Sequence, residues 1–72
     1  MKEERIRKFS GEIIGIIETD DKGNKVARDF PSRLILGEYD AARDCTLDWP
    51  SRRVIGKGDS VVSLIYEKHP RS

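Results

Sequence analysis

The residue types that perform chemistry are few in this chain, and their spacing suits other work. Asp29 and Asp48 hold the same place in two copies of one motif, Asp29-Phe30-Pro31-Ser32-Arg33 and Asp48-Trp49-Pro50-Ser51-Arg52. Two carboxylates brought side by side form an acid and base pair. Standing directly before a turn, however, an aspartate accepts hydrogen bonds from the backbone two or three residues on or pairs with the arginine that follows, and this structural role is the reading taken. Cys45 is the one thiol and His69 the one imidazole. A nucleophile needs a base within hydrogen-bond reach, and a structural zinc site needs four Cys or His ligands, so neither chemistry has its parts. Glu18, Asp20, Asp21 and Asn24 offer oxygens to calcium but lack the alternating spacing of an EF-hand loop, and they are also the residues a hairpin turn demands. Gly56-Lys57-Gly58-Asp59-Ser60 has the composition of a phosphate cradle without its Gly-x-x-x-x-Gly-Lys-Ser/Thr spacing. The sequence therefore yields no catalytic residue, no metal ligand and no cofactor, and it reads as a chain that is not an enzyme.

Arg33, Arg52, Arg53 and Lys57 are the remaining candidates, a basic stripe along one edge that would follow a phosphate backbone. Glu12, Glu38 and Asp40 lie near it in the repeat pattern, and Phe30 and Trp49 are expected to face the core rather than to stack on bases. A small nucleic-acid-binding β module is accordingly the second reading. Lys and Arg on an edge also keep strands of different molecules apart, which favours a solvated, mixed-charge face.

Positioning these residues falls to a repeat. Displaced by nineteen positions, Asp29 to Asp40 falls on Asp48 to Asp59 with half of the twelve positions identical, and Phe/Trp, Ile/Val and Leu/Ile chemically matched. An earlier copy, Ser10-Gly11-Glu12-Ile13-Ile14-Gly15-Ile16-Ile17-Glu18, matches Ser32 to Asp40, with extra residues absorbed by the turn Thr19 to Lys25. Such periods mark one supersecondary unit copied along the chain. Each copy holds two strand-like runs, alternating in Val26 to Phe30 and Cys45 to Trp49, so the unit reads as a hairpin. Gly15, Gly37 and Gly56 recur after aliphatic pairs and mark a bulge or a close backbone approach. Pro31 and Pro50 belong to tight turns. After Asp59 or Ser60, a helix cap, the stripe Val61, Val62, Leu64 and Ile65 favours a short helix, although its β-branched residues also suit a strand.

The segments Asp29-Phe30-Pro31-Ser32-Arg33-Leu34-Ile35-Leu36-Gly37 and Asp48-Trp49-Pro50-Ser51-Arg52-Arg53-Val54-Ile55-Gly56 resemble the Asp-x-x-Gly-Arg-apolar-apolar-Gly hairpin repeats of small uncharacterised bacterial and phage-borne proteins. This chain carries Pro-Ser where that pattern has a residue followed by glycine. The resemblance implies a meander of hairpins and brings no activity with it.

The fold class expected is all-β, a twisted antiparallel meander of three hairpin repeats, with five or six strands and a short C-terminal helix. Residues 1–9 read as a basic, flexible leader, 10–60 as the repeats, 61–68 as the helix or a strand, and 69–72 as a tail. The expected core is Ile13, Val26, Phe30, Ile35, Cys45, Leu47, Trp49, Val54 and part of Val61 to Ile65. Among 72 residues, 36% are apolar and 38% charged, with a formal net charge of +1. A chain of this size hides roughly 60% of its unfolded surface, too little for a second core or a deep enclosed site. No apolar run approaches the ~20 residues that span a bilayer, and no signal-like segment is present, so no membrane partner and a cytoplasmic location are expected. Ile13, Ile14, Ile16 and Ile17 are apolar on both strand faces, and a helix covers only one. The other face is expected to meet a protein partner or a second copy, which makes a non-catalytic protein interaction module, self-association included, the leading reading.

Overall fold

The computed structural model describes residues 2–68. Six strands, β1 (Lys2–Arg7), β2 (Ile13–Thr19), β3 (Lys25–Asp29), β4 (Ile35–Asp40), β5 (Cys45–Asp48) and β6 (Val54–Lys57), pair antiparallel in chain order, leaving β1 and β6 as the edges of an open sheet. The helix α1 (Val61–Lys68) lies across β2, β3 and β4. The all-β meander with a C-terminal helix is thus the observed fold. The leader is different from expectation: Lys2–Arg7 forms the first strand, paired along β2 from Lys2↔Thr19 to Arg7↔Ile13. The expected tail, residues 69–72, lies outside the described residues.

The repeat is three hairpins with one shared irregularity. Opposite Ile6/Arg7, Ala27/Arg28 and Thr46/Leu47 the partner strand carries one extra residue, namely Ile14, Leu36 and Ile55, each directly before Gly15, Gly37 or Gly56. The repeated glycines therefore follow β-bulges, which bend the strand and increase its twist. Gly15 and Gly37 also admit the helix. A Cβ on Gly15 would stand 2.5 Å from Ile65 Cγ2, and one on Gly37 would strike the Leu64 side chain and come within 2.7 Å of the Leu47 carbonyl oxygen.

The two copies of the proline motif fold alike. Phe30–Pro31 and Trp49–Pro50 are cis, and Arg33 and Arg52 close the loops with φ of 65° and 58°. The Asp29 N–H donates to the Leu34 carbonyl (2.8 Å) and its carbonyl accepts from Arg33 N–H (2.9 Å), while Asp48 repeats both bonds with Arg53 and Arg52 at 2.8 Å. Ser32 and Ser51 hydroxyls donate to the carboxylates of Asp29 and Asp48 at 2.7 and 3.2 Å. The first hairpin closes instead through Lys8, whose N–H donates to Glu12 and whose carbonyl accepts from Gly11, the latter at φ 98°. A short loop with glycine in the left-handed region is a common hairpin solution.

The helix wins over the strand because its start is provided for. Thr46, fully buried on β5, accepts from Ser60 N–H (3.0 Å) and donates to the Gly58 carbonyl (2.7 Å). Lys25 on β3 forms an ion pair with Asp59. Val61 and Ile65 then reach a core of Ile6, Ile14, Ile17 and Ala27, with Leu36 and Tyr39 packed beside it. Burying a side chain the size of Ile65 contributes about 1.5–3 kcal/mol, more than the modest helix preference that its β-branching forfeits.

The expected core needs correction at several positions. Cys45, Leu47, Val61 and Ile65 are buried as read. Ile13, Val26, Phe30 and Ile35 are only half-buried, and Trp49 and Val54 are exposed. Trp49 continues the alternation of β5 but falls past its last paired residue, in the loop, where no neighbouring strand covers it. Val54 lies on an edge strand with one neighbour only.

Candidate protein-interaction edge

Ile14, Ile16 and Ile17 are 2%, 3% and 5% exposed, and Ile13 is half-buried, so the isoleucines expected to meet a partner are interior to this chain. The physical reason is visible in the register. Ile17 lies on the helix side, and the bulge brings Ile14 into the same cluster. On the other face, Ile16 is flanked by Arg5 on β1 and Arg28 on β3. Directly opposed side chains stand ~5 Å apart, and the aliphatic stem of an arginine covers apolar surface while its head stays in water. Arg28 is held down over this face by a 2.8 Å ion pair with Glu18. The expectation of a surface completed by a second molecule at residues 13–17 therefore does not hold.

The basic stripe is partly dissolved as well. Arg33 and Arg52 sit on neighbouring loops at one end of the sheet and Arg53 follows Arg52, but Lys57 stands at the opposite end of β6. Arg52 is engaged, its Nη2 lying 3.3 Å from Glu38 Oε1 in an ion pair not aligned as a hydrogen bond. Among the described residues, Arg33, Arg53 and Lys57 have no ion pair within 4 Å. Asp29 and Asp48 do not meet as a pair, since β4 lies between their strands and each is bonded within its own loop.

Other clusters are equally committed. Asp20 accepts from the N–H groups of Lys22 (2.8 Å) and Asn24 (2.9 Å) as a turn residue. Desolvation works against ionisation of its carboxyl, but the hydrogen bond from the Asn24 side chain and those backbone donors outweigh it and lower its pKa. In the glycine-rich segment, Gly58 N–H donates to the Asp44 carbonyl and Ser60 N–H to Thr46, so amides that an anion would need are already used. Tyr39 donates to Asp44 at 2.6 Å, and this bond is the first cause of a phenol pKa pushed up to about 12. A shallow groove of about 240 Å³ between β1 and the start of α1 is lined by Glu4, Ile6, Lys25, Asp59 and Val62, with Lys25 and Asp59 paired to each other.

What remains open is the β6 edge. Val54 and Ile55 are 61% and 50% exposed, and no described strand pairs with the outer side of β6. Val54 lies opposite Leu47, which lies opposite Glu38, so it ends a cross-sheet row whose inner members are covered. Trp49, 37% exposed, begins the loop that leads into this strand. The two edges differ in chemistry. β1 mixes charges of both signs, Lys2, Glu3, Glu4, Arg5 and Arg7, around a single buried Ile6, which is how sheets blunt an edge. From Trp49 to Gly58 there is no acidic residue. The repeat hid this site from the sequence: Ile55 is equivalent to Ile14 and Leu36, which the helix covers or borders, and only the end of the meander leaves it outside.

No family model matches the chain, and no curated protein or solved structure matches it.

Proposed function

We propose that this protein is a non-catalytic interaction module that captures an extended polypeptide segment on the β6 edge. The observation that carries the reading is the contrast between the two edges: β1 is blunted by charges of both signs, whereas β6 offers an outer backbone edge that no described strand pairs with, flanked by exposed Val54 and Ile55. Added strands bind through main-chain hydrogen bonds, with side-chain contacts giving specificity. The exposed loop residues Phe9 and Trp49, at the same end of the sheet as Arg33 and Arg53, support a second reading, contact with single-stranded nucleic acid through stacking and charge.

An amide NMR titration with the strand-forming hexapeptide Thr-Val-Thr-Val-Thr-Val at millimolar concentration tests the first reading. Strand addition shifts the signals of residues 53–58 and slows hydrogen exchange in β6 while leaving β1 unchanged. Shifts confined to β1, or none at β6, refute it.

A further inference from the structure

We infer that the segment β6 accepts is acidic at its flanks and apolar at its centre; this rests on the strand-capture reading above. The edge carries basic charge that is only partly neutralised within the chain. Arg52 is occupied by Glu38, but Arg53, directly before the strand, and Lys57, its last residue, have no ion-pair partner within 4 Å among the described residues. At ~3.3 Å per residue the two are at most about 13 Å apart along the strand, four residue steps that the bulge at Ile55 shortens, the reach of four to five residues of an added strand. Between them Val54 and Ile55 present apolar surface to the same strand. A segment with Asp or Glu at both ends and β-branched residues between them meets all three features together, and the charges set its register.

The other occupants fit less well. Two β6 strands paired antiparallel about Ile55 place Arg53 of one copy opposite Lys57 of the other, and like charges directly opposed across a ladder are destabilising. A polyphosphate chain answers the two cations but leaves Val54, Ile55 and the open backbone ladder unused.

The test uses the full chain and three octapeptides with the common centre Val-Thr-Val-Thr, flanked on both sides by Glu-Glu, Ser-Ser or Lys-Lys, with the oligonucleotide (dT)8 as a fourth ligand. Shifts of residues 53–58 give each dissociation constant at low and at high salt. The expected result is binding of the Glu-flanked peptide at least tenfold tighter than of the Lys-flanked one, with the difference collapsing in 0.5 M salt. In the double variant Arg53→Glu, Lys57→Glu the preference reverses toward the Lys-flanked peptide; both residues are exposed, and unchanged signals from α1 and β2 verify the fold. Equal affinity for the three peptides overturns the charge inference and leaves strand capture standing. An absence of β6 shifts with every peptide overturns both. Tighter binding of (dT)8 than of the Glu-flanked peptide at these residues overturns the inference in favour of a polyphosphate ligand, and dimerisation that excludes the peptides overturns it in favour of a second copy.

Discussion

Single residues in this protein are constrained by what approaches them, and the three repeated glycines illustrate it. None needs a left-handed backbone, and Gly15 and Gly37, but not Gly56, stand where an added Cβ would collide with a neighbour. An added Cβ at Gly37 meets the Leu64 side chain and the Leu47 backbone at 2.7 Å, whereas at Gly56 its nearest contact is Ser60 Oγ at an ordinary 3.5 Å. Forcing a methyl into filled space costs about 1–3 kcal/mol, while replacing glycine by alanine where the conformation allows it stabilises by about 0.4–1 kcal/mol through the unfolded chain. Gly37→Ala therefore lowers the unfolding free energy by about 1–3 kcal/mol, and Gly56→Ala leaves it unchanged or slightly raised. Urea denaturation of the two variants beside the parent reads the difference. Two destabilised variants of equal size would mean that the last glycine also answers to packing.

The elements show where the sequence speaks and where it falls silent. The proline motifs made two loops legible, although the carboxylates of Asp29 and Asp48 accept from the Ser32 and Ser51 hydroxyls, partners the sequence reading did not name, and the stripe of Val61, Val62, Leu64 and Ile65 made the helix legible even though Val62 is exposed. The strand β1 was not, since its single buried residue, Ile6, carries no alternation among five charged neighbours. The burial of Ile16 was hidden for a related reason: the groups that flank it are arginines, which hydropathy counts as polar although their stems are apolar. The helix is the element on which the sheet depends, because Ile65 is fully buried among residues of the meander while Tyr66 next to it is exposed. Ile65→Ala costs about 2–5 kcal/mol, the range for truncating a buried aliphatic chain. Tyr66→Ala costs no more than about 1 kcal/mol, since the ring is half-exposed and its one bond, to the Arg7 carbonyl, is long at 3.4 Å. Thermal unfolding followed by far-ultraviolet dichroism orders the two variants, and comparable losses would mean that the outer face of α1 also carries stability.

For the molecule as a whole, the two edges of the sheet differ in chemistry. An open sheet can grow at either edge, and a meander whose last strand is apolar risks adding copies of itself. In β6 the restraint is electrostatic: no acidic residue lies between Trp49 and Gly58, while Arg52, Arg53 and Lys57 all do, so approaching β6 edges repel. Repulsion between exposed charges is screened by salt, the Debye length falling from about 10 Å at 0.1 M to about 3 Å at 1 M, whereas the attraction between Val54 and Ile55 of two copies is not weakened by it. Raising the salt therefore drives self-association at a protein concentration where the chain is monomeric at 0.05 M salt. The double variant Arg53→Ser, Lys57→Ser associates already at 0.05 M, and Val54→Lys with Ile55→Lys stays monomeric at 1 M. Size-exclusion chromatography with light scattering measures all three. Association that weakens as salt rises would reverse the argument, making opposite charges, rather than the apolar edge of β6, the force that joins copies.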